Sequence, residues 1–140
     1  MADEKKPTIE EIKARIGEKK EEVIEIDKSM IRAYCECIGD KNPKWRDVAP
    51  PGFITNAKIS SGGVALGIPM PYKRIVAAGG DWEFFKPIKV GDTITTIHEF
   101  HDMIDKGSEK GPRVLIVFKS THKNQKGEVV AVTTANVMSY

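Results

Sequence analysis

Val114-Leu115-Ile116-Val117-Phe118-Lys119-Ser120-Thr121, the turn residues Asn124-Gln125-Lys126-Gly127 and the β-branched run from Val129 to Met138 read together as two strands joined by a hairpin. The pattern extends upstream. Lys106 to Pro112 is a glycine-bounded loop, and Thr93 to Ile104 is rich in Thr and Ile. Pro87 to Asp92 is a turn, and Ala77 to Phe85 alternates around Trp82, Phe84 and Phe85. Long strands joined by hairpins and preceded by a buried helix imply an antiparallel sheet wrapped around that helix, an α+β architecture.

The first half of the chain is helical in pattern. Thr8 caps a short helix with Ile9, Ile12 and Ile16 at helical spacing, ending at Gly17, and Val23, Ile24 and Ile26 form a brief strand. Asp27 is a good N-cap for a second helix with Met30, Ile31, Tyr34 and Ile38 on one face and Gly39 as its stop. From Gly39 to Phe53 the chain carries Asp40, Asn42, Pro43, Pro50 and Pro51, which excludes regular structure and makes a shaped loop. Pro50 and Pro51 suit the start of a helix, because a first-turn proline forfeits no intrahelical bond. That helix, from about Gly52 to about Leu66, is expected to be the one long central helix.

Composition narrows the function classes. The 140 residues carry 22 Lys+Arg against 20 Asp+Glu, a formal charge of +2. That balance is too even to point to nucleic acid or an anionic membrane surface. No apolar run approaches the ~20 residues of a membrane-spanning helix. Residues 1–6 are charged, with no apolar core behind them, and are expected to be a disordered tail rather than a signal peptide. Residues 7–140 are expected to form a single domain. Cys35 and Cys37 point to different sides of a helix and no second Cys/His pair completes a metal site. A reducing cytoplasm is the expected setting.

Three segments in order carry a resemblance: Gly39-Asp40-Lys41-Asn42-Pro43 after a helix, Ala49-Pro50-Pro51 opening the next one, and Trp82-Glu83-Phe84-Phe85-Lys86-Pro87-Ile88-Lys89-Val90-Gly91-Asp92. Together they resemble the MaoC-like dehydratase/hydratase group of hotdog-fold proteins, in particular its N-terminal MaoC dehydratase domain branch, over about residues 9 to 139. The resemblance implies a hotdog fold, a dimer, and acyl thioesters of coenzyme A or acyl carrier protein as ligands, with no further cofactor. In the catalytic branch an Asp and a His of this loop hold one water and act as general base and acid in adding it across an enoyl double bond. Asp40 matches the Asp. The His position is Trp45, whose indole donates one hydrogen bond and accepts no proton. The catalytic branch also polarises the thioester oxygen with a backbone N–H at the start of the central helix. Pro51 stands where that donor is expected and has none to give. Gly52 supplies a substitute only if the register shifts by one. Family members often have a longer loop between the positions of Asp47 and Val48.

These departures lead to one expectation: an acyl-thioester-binding, non-catalytic subunit of a heteromeric (R)-specific enoyl-CoA hydratase or 3-hydroxyacyl-thioester dehydratase, working beside a catalytic MaoC-like partner. Asp40 is the remnant of the catalytic pair, and Asn42, Trp45, Gly52, Phe53, Asn56, Trp82 and Phe84 are the candidate substrate-binding residues. Asp40 and Asn42 also have an ordinary use, capping turns. The alternatives are a self-sufficient hotdog hydratase or thioesterase, or an acyl-CoA-binding scaffold, with a homodimer in place of the heteromer. Against the thioesterase, the stretch from Gly52 to Leu66 holds no Asp or Glu. His98 and His101 differ in parity along one strand and so, without a bulge, point to opposite faces and cannot pair, and all three histidines, His122 included, are expected at the surface or an edge. The segment from Trp82 to Phe85 is expected near the dimer seam.

Overall fold

A computed structural model describes residues 5–56, 59 and 62–140. Helix α1 (Ile9–Lys13) starts in a capping box: the Thr8 hydroxyl accepts from the Glu11 N–H, while the Glu11 carboxylate accepts from that of Thr8. Strand β1 (Lys19–Glu25) follows, then α2 (Lys28–Ile38), then two 3₁₀ turns at Pro43–Arg46 and Pro51–Thr55. Helix α3 (Gly62–Leu66) precedes β2 (Ile75–Phe84), β3 (Thr93–Asp105), β4 (Val114–Lys123) and β5 (Val129–Ser139). Every strand pairing is antiparallel, in the order β1-β3-β4-β5-β2. The caps of α2 are those the sequence predicts. Asp27 accepts from the Met30 N–H, and Gly39 closes the helix at φ 69°, a left-handed conformation that costs glycine nothing. Replacing Asp27 with Ala is expected to cost about 1 kcal/mol, read as a lowered urea midpoint.

The long central helix is not continuous. Asn56 has φ −55° and ψ 130°, outside helical space, so the 3₁₀ turn at Pro51–Thr55 and α3 are separate pieces. Residues 57, 58, 60 and 61 of the expected helix lie outside the described residues, as do residues 1–4 of the expected tail. The physical reason is composition. Gly52, Thr55 and Asn56 are poor helix formers, and Thr55 spends its hydroxyl on the Gly52 carbonyl. Gly63 has a packing role as well. A Cβ there would lie 2.6 Å from the Phe118 ring, so glycine lets α3 lie directly on β4.

The core divides in two. Ile31, Phe53, Ile54, Ile94 and Val130 belong to one apolar cluster, and Ile12, Phe100, Ile116 and Phe118 to the other. Between them, on the buried face, the register sets a polar belt: Glu22, Thr96 and His122 align in one cross-strand row, and His98, Ser120 and Thr133 in the next. His98 and His122 are fully buried, contrary to the expectation of surface placement, and His101 alone is exposed. His98 Nδ1 meets Ser120 Oγ at 2.8 Å and its Nε2 meets Glu22 Oε2 at 3.1 Å. His122 Nδ1 meets Thr96 Oγ1 at 2.9 Å and its Nε2 meets Thr133 Oγ1 at 3.1 Å. His101 sits at a register shift between Phe100 and Asp102, so strict alternation does not run from His98 to His101, and the two are separated by burial instead: His98 is buried and His101 exposed. No helix among the described residues is long and apolar enough to cross a membrane.

Candidate active-site loop

The loop after α2 is built by its own side chains. Asp40 Oδ1 accepts from the Asn42 N–H at 2.9 Å, and Asn42 Oδ1 accepts from the Lys44 N–H at 3.0 Å. Two such Asx turns in succession bring the chain round into the 3₁₀ turn at Pro43–Arg46. The turn carries Trp45 back over Asp40, and its Nε1–H donates to Asp40 Oδ2 at 2.8 Å. Both carboxylate oxygens are therefore engaged by N–H donors from within the loop. The short connection after Asp47 is stitched to the turn before β3: Val90 N–H donates to Asp47 O, and Ala49 N–H to Ile88 O.

Trp45 stands between two concavities. One, of about 580 Å³, is lined by α2 and the loop, including Arg32, Glu36, Asp40, Asn42 and Arg46. Cys35 also lines it; burial, and then the nearby Asp40 charge, push its thiol pKa up and keep it protonated. The other, of about 470 Å³, is an apolar groove walled by Trp45, Pro50, Pro51, Phe84, Phe85 and Ala131. Pro51 opens its 3₁₀ turn as the first residue, with no N–H to offer, and Gly52 is the first residue of that turn with one.

The structure brings Asp40, Asn42 and Trp45 together, with Phe84 across the apolar groove. Gly52 lines neither concavity; it packs against Tyr34, whose hydroxyl leaves no room for a Cβ there. Phe53 is wholly buried, its ring edge-on to Tyr34 at 5.9 Å, and supports the site from beneath. Asn56 lines a separate shallow groove with Met30 and Tyr34. Trp82 lies outside both concavities, on β2 opposite Thr133. Two features escape the sequence reading. Arg32, Lys41 and Arg46 converge on the pocket that holds Asp40, a convergence hidden because Arg32 belongs to a helix and the others to a loop. The Glu22–His98 contact joins residues 76 apart in the chain.

Residues 14–133 match the family described as "FAS1-like, dehydratase domain region". A protein of Streptomyces coelicolor, UPF0336 protein SCO4636, is 26% identical over 86 residues, covering 51% of this chain and 57% of that protein. The chain thus spans little more than half the length of such relatives. The C-terminally truncated HadBC (3R-hydroxyacyl-ACP dehydratase) complex of Mycobacterium tuberculosis is similar in fold at TM-score 0.72, with 17% identity, over 89% of this chain and 97% of that one. The unliganded R-hydratase PhaJ1 of Pseudomonas aeruginosa gives TM-score 0.68 at 22% identity, over 89% of this chain and 81% of that one. An antiparallel sheet curled against a helical segment, an Asp-bearing loop after the second helix and this match over most of the chain lead to one assignment: the chain belongs to the FAS1-like, dehydratase domain region family, with the hotdog fold of the R-hydratase and dehydratase structures it resembles.

Proposed function

We propose that this chain is an acyl-thioester-binding subunit that does no hydration of its own and works beside a catalytic MaoC-like chain in a heteromeric (R)-specific enoyl-CoA hydratase or 3-hydroxyacyl-thioester dehydratase, in a reducing cytoplasm where Cys35 and Cys37 stay free. One observation carries the reading: the Trp45 Nε1–H donates to Asp40 Oδ2 at 2.8 Å. An indole holds the carboxylate that a catalytic member of the family uses, with an imidazole, to hold water. The indole accepts no proton, and the carboxylate's two oxygens already serve the loop. The apolar groove beside Trp45 supplies a place for the acyl chain without the means to transform it.

The sheet edges support a partner. At one edge β1 carries Lys19, Lys20, Glu21, Glu22 and Glu25, charges of the kind that blunt an edge against pairing. At the other, β2 and its continuation leave Trp82, Phe84 and Phe85 about half exposed, at 46%, 50% and 57%. A strand with one open edge and an apolar surface is a template for a second sheet. Placing Asp at both Trp82 and Phe84 is expected to weaken association at least about a hundredfold, since an unpaired charge buried at an interface costs several kcal/mol. Sedimentation of wild type and double variant, each co-expressed with the catalytic chain, measures this; unchanged association would move the seam elsewhere. The function itself is tested by titrating crotonyl-CoA into the chain and into its complex. Binding without turnover by the chain alone is expected, and no binding by either would remove the reading.

A further inference from the structure

The outer face of the sheet, opposite the buried belt, carries two cross-strand rows at the end remote from the Asp40 loop: β3 begins beside the turn stitched to that loop and ends among these rows. Val114 and Ser139 pair and are both buried, so their neighbours Arg113 and Tyr140 stand side by side on the outer face. Arg74 and Tyr140 exchange backbone hydrogen bonds, and the Lys106 N–H donates to the Arg113 carbonyl. One row therefore runs Arg74, Tyr140, Arg113, Lys106. The guanidiniums of Arg74 and Arg113 lie 5.9 and 5.8 Å from the Tyr140 ring. Two residues further along the strands, the next row on that face is Val76, Met138, Leu115 and Ile104. Its ends stand open to solvent, Val76 at 43% and Ile104 at 37%. Arg74, Lys106 and Arg113 make no ion pair with any described residue, and the Arg113 Nε is buried with no acceptor among them. Asp105 pairs with buried Val114 and so belongs to the opposite face, while Asp102 lies beyond the apolar row. Both lessen the positive potential of the row, yet a carboxylate arriving from solvent gains contacts that neither supplies.

We propose that these two rows dock an acidic amphipathic helix of a partner protein, its carboxylates on Arg74, Arg113 and Lys106 and its apolar side chains on the row from Val76 to Ile104. Four adjacent strands carry each row over about 14 Å, and the rows lie about 7 Å apart. A helix about 10 Å across covers both with about nine residues. Guanidinium forks take carboxylates two oxygens at a time, which suits Arg74 and Arg113 to acidic side chains. A nucleic-acid backbone satisfies the cations but leaves the apolar row facing water. Leu115 and Met138, in the middle of that row, are half-buried and too recessed to insert into a lipid surface. The surface lies at the opposite end of β2 from Trp82 and Phe84, and it does not depend on the acyl-thioester reading.

The test selects peptides of about sixteen residues from a random phage-displayed library with the full chain as bait, then titrates the enriched peptides into wild type and two double variants. Arg74→Glu with Lys106→Glu reverses two charges, and Val76→Thr with Ile104→Thr removes apolar surface while keeping the β-branched shape. All four side chains are exposed, so both variants keep the core. Enriched peptides are expected to carry Asp or Glu at helical spacing beside an apolar stripe. They should bind the charge variant at least about tenfold more weakly than wild type, and the threonine variant about threefold more weakly. No enriched peptide, or peptides whose affinity neither variant changes, overturns the proposal. Peptides without acidic residues that respond to the threonine variant alone overturn the acidic partner. Vesicles of mixed phosphatidylcholine and phosphatidylserine, and a random-sequence DNA duplex, are titrated alongside. Charge-dependent binding of either, tighter than that of every peptide, overturns the helix as occupant.

Discussion

Lowering the pH from 7 to 4 is expected to cost the fold about 3 kcal/mol through one side chain, His122. Its imidazole lies in the belt between the two apolar clusters, bonded to the hydroxyls of Thr96 and Thr133. A neutral ring suits that place, donating through one nitrogen and accepting through the other. Burial, reinforced by the nearby His98, lowers its pKa from 6.5 to about 4. Between these two values the unfolded chain binds the proton and the folded chain does not, so stability rises with pH across that interval. The contribution is complete above about 6.5 and is lost progressively as the pH falls to about 4. Urea midpoints measured from pH 7 to pH 4 should therefore fall more steeply for wild type than for His122→Gln, which keeps polar atoms in the belt but titrates nothing. Parallel curves for the two proteins would show that His122 carries no such coupling.

The largest expected effects concern catalysis. Hydration requires a base for the water and an acid for the α-carbon, and each positioned group is worth roughly a hundred- to ten-thousand-fold. On the proposed reading Trp45 fills neither role, and Pro51 stands where a donor is needed whose loss typically costs about 3 kcal/mol of transition-state stabilisation. Trp45→His is expected to release Asp40 and restore an imidazole, yet leave the rate of the isolated chain near background because the donor at Pro51 is still missing. In the reconstituted complex, Asp40→Ala is expected to lower crotonyl-CoA hydration far less than removal of the partner's own catalytic Asp, which should lose at least about a hundredfold. Equal losses from the two substitutions would place Asp40 among the catalytic groups.

What the sequence discloses here is local in origin. Thr8 and Asp27 cap helices, Gly39 stops one, and Asn124 to Gly127 turns a hairpin, because each effect is decided within a few residues. The strand spans follow for the same reason, from β-branched runs bounded by turn residues. The break at Asn56 was open to composition, since Gly52, Thr55 and Asn56 are weak helix formers, but the apolar spacing of Phe53, Ile54, Ile59 and Val64 outweighs them in a pattern reading. The belt was not legible, because a buried imidazole is recognised by its cross-strand neighbours, and Glu22, Thr96, Ser120 and Thr133 come from β1, β3, β4 and β5. At the site, it is the resemblance that sets Trp45 at the position of a histidine. The hydrogen bond by which Trp45 occupies Asp40, and the meeting of Arg32 with Lys41 and Arg46, depend on how α2 and its loop fold back on each other.

The central claim is that this chain holds an acyl thioester and leaves the addition of water to another subunit. It is tested most directly by following loss of the enoyl absorbance of crotonyl-CoA with the purified wild-type chain alone, and again after reconstitution with its Asp/His-bearing partner. The account predicts a rate at background for the chain alone and full hydratase activity for the complex. Hydration by the chain alone at the rate of the complex, abolished by Asp40→Ala, would contradict it.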